Sequence, residues 1–96
     1  MPNPSTFIQS GVKLVTTAGT QETLAASSTP CNEVVIQALA ANIGMVYVGG
    51  ANIAAGEGVE LDAREGLSLD IDDLLKVWVD VEMDGEGVSF VYIGGT

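Results

Sequence analysis

The chain has 96 residues, 47% of them hydrophobic, and sets thirteen acids against Lys13, Arg64 and Lys76 for a net charge of −10, with no histidine. That apolar share excludes a disordered chain, and the length allows one domain. The acid excludes direct binding to nucleic-acid phosphates, and no apolar run reaches the roughly eighteen residues of a membrane span.

The surface expected of a folded 9.9 kDa chain is about 5,200 Å², which leaves roughly two thirds of the extended chain's surface for burial. A modest but workable core is implied. The start "MPNPSTFIQSG" lacks the basic and apolar regions of a signal peptide, so a soluble chain that is not exported is expected. Cys31, the only cysteine, can form no internal disulfide and has no histidine to activate it; it reads as a small buried residue.

Residues 1–6 carry two prolines and no periodic pattern, and read as an extended N-terminal arm before a single β-domain over 7–96. Prolines oppose helix there, Phe7 and Ile8 offer apolar anchors, and Ser5, Thr6 and Gln9 can bond along a neighbour's strand edge; a frayed end joined to an ordinary first strand is the other reading. "FIQSGVKLVTTAGT" is β-branched and aromatic with bounding glycines, giving one or two strands. "ETLAASSTPCN" is small and polar and reads as a connection. A strand is expected from Glu33 to Leu39, since Val34, Val35 and Ile36 are β-branched and the stretch is short for a helix.

Strands are also expected at Met45 to Val48 and near Val59 to Leu61, with Gly49-Gly50 as a break. The glycines there open no phosphate loop, because no GxGxxG leads into a helix and no Lys-Ser/Thr pair follows. "LSLDI" alternates as a half-buried strand, and "DDLL" suits one tight helical turn that Asp72 can cap. Asp70, Asp72 and Asp73 are the weak alternative for a metal site, since Asp70 and Asp72 would share a strand face.

"VDVEMDGEGVSF", residues 79–90, begins like a calcium loop, with alternating acids from Asp80 and Gly85 at position six. Position twelve is Val91, which cannot supply the bidentate carboxylate such a loop needs. The run reads instead as a hairpin turning at Asp84-Gly85, with Val81 facing Val88, Val79 facing Phe90, Val77 facing Tyr92, and Asp80 and Glu82 on a wet outer face. In that register Trp78 lies beside Val91 and Ile93, a patch that either meets another chain or is covered by a loop or second sheet.

Short strands parted by turn signals, without a long helix, make an all-β sandwich or barrel of about eight short antiparallel strands. With no histidine and no recognisable carboxylate pair, neither an enzyme nor a cofactor is expected. Eleven acids lie from Glu57 onward, so the first 56 residues carry a net −1 and the remaining forty −9. That acid keeps an apolar chain in solution.

Residues 41–94 string together Asn-x-Gly, "VYVG", Gly-x-x-Leu at 58–61, Gly-Leu-Ser-Leu, Asp-Asp-Leu and "VWV" before a glycine turn. In that order they resemble small structural proteins of tailed bacteriophages, the head decoration or cement proteins, and less specifically small tail, neck or fibre components. The resemblance implies a β-domain made in the host cytoplasm that binds the major capsid protein on the outside of the virion and reinforces it as a homo-oligomer, a trimer first. The expected interface residues are Phe7, Ile8, Gln9, Trp78, Val91 and Ile93. A calcium- or glycan-binding β-module that uses the acidic half is the alternative from another class.

Overall fold

The structure, a computed structural model, describes residues 5–53 and 57–95. Eight strands follow in chain order: β1 (Phe7–Leu14), β2 (Glu22–Thr23), β3 (Glu33–Ala38), β4 (Val46–Gly49), β5 (Val59–Leu61), β6 (Gly66–Leu69), β7 (Trp78–Val81) and β8 (Gly87–Gly94). A single 3-10 turn, Leu74–Lys76, precedes β7. Residues 1–4, most of the expected arm, lie outside the described residues; Thr6 already donates its N–H to the Gly94 carbonyl at 2.7 Å, and β1 begins at Phe7.

The strands form two antiparallel sheets, ordered β1-β8-β3-β6 (sheet A) and β2-β7-β4-β5 (sheet B). The wiring follows from one long ribbon. β1 pairs β8, β2 pairs β7, β3 pairs β6 and β4 pairs β5, so the chain doubles back between β4 and β5 and its two legs run antiparallel throughout. Rolling that ribbon brings β8 beside β3 and β7 beside β4, which closes both sheets. Eight strands in this order make a jelly roll, a sandwich built of two Greek keys.

The core between the sheets is dominated by valine, because alternate residues of short strands turn inward and β-branched side chains suit a pleated surface. Val34, Ile36 and Ala38 on β3, Val46 and Val48 on β4, Val79 and Val81 on β7, and Val88 on β8 are buried in one cluster with Val15, Leu24, Leu61, Leu74 and Val77. The accessible surface of 5322 Å² is close to that expected for the chain's mass.

The residues that read as a hairpin at Asp84-Gly85 do something else. β7 and β8 belong to different sheets, so Val81 lies opposite Val46 and Val88 opposite Ala38 and Lys13. A type I′ hairpin turn needs positive φ at both central residues. Only Gly85 has it, at φ 81°; Asp84 does not. The segment is therefore a corner that carries the ribbon from sheet B to sheet A, and the 15–21 segment of the other leg runs beside it. Val15 donates to the Glu86 carbonyl at 2.9 Å and Gly85 to the Val15 carbonyl at 2.8 Å.

Candidate functional site

The acids of the corner have structural employment. A carboxylate that accepts backbone N–H groups fixes a loop whose own ladder has run out. Glu86 accepts from Ile43 at 2.7 Å and Gly44 at 3.0 Å, Glu82 from Met45 at 2.6 Å, and Asp84 from Ala18 at 2.7 Å. Asp80 accepts from Gly19 at 3.0 Å and from Val81 at 2.8 Å. The run that resembles the start of a calcium loop is thus a clasp on the 15–20 and 42–45 segments.

Asp80 corrects the sequence reading outright, since it is fully buried, not on a wet face. Its side chain points away from the core, yet the 15–20 segment lies across that side of sheet B. β2 begins only at Glu22, opposite Val79, and the ladder offers no partner to the N–H of Val81, so the Asp80 Oδ1 takes it. Oδ2 has no hydrogen-bond partner among the described residues.

The aspartates before β7 also separate. Asp73, not Asp72, caps the 3-10 turn: it accepts from Leu75 at 2.9 Å and from Thr29 at 2.7 Å, and Ser28 donates its hydroxyl to the other oxygen. These bonds, that of Ser28 first, hold its carboxyl below the usual carboxylate range. Asp72 pairs with Lys76 at 2.8 Å across exposed surface, and Asp70 falls beyond the end of β6, so the two share no strand face. Among the described residues no group of three His, Cys, Asp or Glu side chains is placed to hold a metal. Cys31 is buried, donates to the Ile71 carbonyl at 3.2 Å, and its thiol is pushed up by burial first and by Asp73 and Asp72 after it. It is a poor thiolate.

The surface feature that stands apart is the outer face of sheet A. On β1 the even residues Ile8, Ser10, Val12 and Leu14 point outward, and Ile8, Val12 and Leu14 are 67%, 63% and 50% exposed. The ladder puts Ser89, Val91 and Ile93 of β8 next to them, then Val35, 44% exposed, with Gln37 on β3. A shallow depression crosses the middle of this face, lined by Ser10, Val12, Val35, Gln37, Ser89 and Val91. None of the thirteen acids lies on β1 or β8. On a chain of net −10 this is a largely apolar plate, with one acid, Glu33 at the start of β3 beside Ile93, at its rim.

Of the residues expected at an interface, Ile8, Val91 and Ile93 share this plate. Phe7 and Gln9 lie on the opposite side of β1, where the Phe7 ring meets Tyr92 edge-on at 6.2 Å. Trp78 is on the other sheet, between Thr23 and Gly49, so the expected patch of Trp78 with Val91 and Ile93 does not exist. The outward stripe Val12, Leu14 and Val35 went unread at the sequence level. Its signal was an alternation in "FIQSGVKL" whose apolar members face water while Lys13 turns inward to Glu22 at 2.7 Å.

No family model, curated protein or solved structure matches the chain.

Proposed function

We propose that the protein is a non-enzymatic structural component of a virus particle, a decoration or cement protein that docks through the outer face of sheet A onto the outside of the capsid and works as a homo-oligomer. The observation that carries the reading is the apolar plate. Three large aliphatic side chains at half exposure or more, on one flat face of a strongly acidic domain, form the kind of patch that meets another protein. The jelly-roll wiring, common among capsid domains, supports the reading by analogy of fold alone. Binding the assembled shell more tightly than its dissociated parts stabilises the shell by linkage.

The test is co-sedimentation of the protein with purified shells. Val35 is exposed and lies on β3, an interior strand of the sheet, so Val35→Glu adds charge to the plate without opening the core. Loss of at least tenfold in shell affinity, with thermal stability near that of the parent, is the expected result. Unchanged binding would remove the plate as the docking surface. The same face would serve a tail, neck or fibre component, and particle fractions that lack tails separate the two.

A further inference from the structure

We infer that β1 pairs with β1 of a second copy, antiparallel about a two-fold axis at Gly11, so that two molecules share one continuous eight-stranded sheet. This deepens the self-association in the proposed function by naming its surface, and it does not depend on what the plate docks onto.

In an antiparallel ladder, residues alternate between bonding one neighbour and bonding the other. Val15 bonds Glu86, so the odd residues of β1 point their backbone groups at β8. The N–H and C=O groups of Ile8, Ser10, Val12 and Leu14 consequently face the free edge of sheet A, and no hydrogen bond joins them to another described residue. Proteins blunt such edges with short strands, prolines, bulges or charges. The other edges follow that rule: β2 has two residues, β5 three with Glu60 among them and Asp62 after it, and β6 four between Glu65 and Asp70. β1 has eight residues, a regular register, and neither proline nor acid; its one charge, Lys13, is tied to Glu22.

The occupant is argued from charge and from self-complementarity. Two molecules of net −10 repel unless they meet where acids are absent, and β1 with β8 is that region. Centring the two-fold at Gly11 sets Ile8 opposite the second copy's Leu14 and Ser10 opposite its Val12, so every free N–H and C=O finds a partner, four N–H groups from each strand. Shifting the register by two residues leaves one end unpaired. The pair then presents two plates side by side on one surface, which multiplies a weak contact with a repetitive shell. The contact makes twos, where the resemblance implies threes.

The test is the mass of the full chain by light scattering and sedimentation over about 1 to 200 μM. Twice 9.9 kDa is expected at the upper end. Val12→Pro removes an N–H that points away from β8, so the fold survives and the pair is expected to dissociate at least tenfold more readily. Hydrogen exchange on the unaltered protein reads the same contact without a variant: the amides of Ile8, Ser10, Val12 and Leu14 slow with rising concentration. A monomer at every concentration overturns the proposal, as does a dimer in which those four amides exchange freely or that Val12→Pro leaves intact. Shell binding by Val35→Glu is read separately, so failure of docking and failure of pairing are distinct results.

Discussion

Asp80 shows how a single carboxylate holds a corner of the roll. One oxygen satisfies two backbone N–H groups while the other is buried without a partner among the described residues. Asp80→Ala strands both donors and is expected to cost about 2 kcal/mol. Asp80→Asn keeps the accepting oxygen, so its loss is expected to be less than half as large; denaturant midpoints of the two variants decide this. Asp73 and Glu22 are both held below their ordinary range, Asp73 by Ser28 first and Glu22 by Lys13 first. Because the folded values are depressed, their stabilisation is complete above the ordinary carboxylate values and is lost as pH falls below about 4. Asp73→Asn keeps one capping oxygen but loses the charge that the Ser28, Thr29 and Leu75 bonds favour, so it is expected to weaken the pH dependence below that point and to lower stability at pH 7 toward the parent's value in acid, by acid titration of the circular dichroism signal.

At the scale of elements, the corner between β7 and β8 explains both what was legible in the sequence and what was not. Strand content was legible because β-branched runs such as "EVVIQA" and "VYVG" alternate between glycine and polar breaks, and those breaks are where the strands end. The partner of each strand was not, since alternation says which face is buried and not which strand lies beside it. "VDVEMDGEGVSF" alternates equally well whether the chain reverses or bends, and the deciding fact, the backbone of Asp84, is set by the 15–20 segment more than sixty residues earlier. The glycines here differ in kind. Gly85 is at φ 81° with open space around it, so Gly85→Ala is expected to cost about 1 kcal/mol through backbone strain alone. A Cβ at Gly87 would overlap the Lys13 carbonyl, so Gly87→Ala is expected to cost about 3 kcal/mol or more, or to prevent folding. Urea midpoints of the two alanine variants check the order; a reversed order contradicts this view of the corner.

For the whole molecule, the division of charge organises the account. The acids crowd the corner, the β5 and β6 edges and the segment before β7, while β1 and β8 carry none. With only three bases to offset them, the acids repel, so the melting temperature is expected to rise by several degrees between about 20 and 300 mM salt as screening tightens. A flat salt response would mean that the clasping bonds, not the net charge, set stability. The apolar plate is legible only in part: Ile8, Val91 and Ile93 are expected from the sequence to meet a partner, but the hairpin register draws in Trp78, and Val12, Leu14 and Val35 go unread. Rolling the ribbon places β1 and β3 on either side of β8, a non-local fact that no stretch of sequence carries. The central claim is that this plate belongs to a virion. It is tested most directly by the copy number of the chain in purified particles of any virus found to encode it, by quantitative mass spectrometry against the major shell protein. A simple stoichiometric ratio to the shell protein is the expected result; a chain absent from the particle, or present in a handful of copies, contradicts a decorating role.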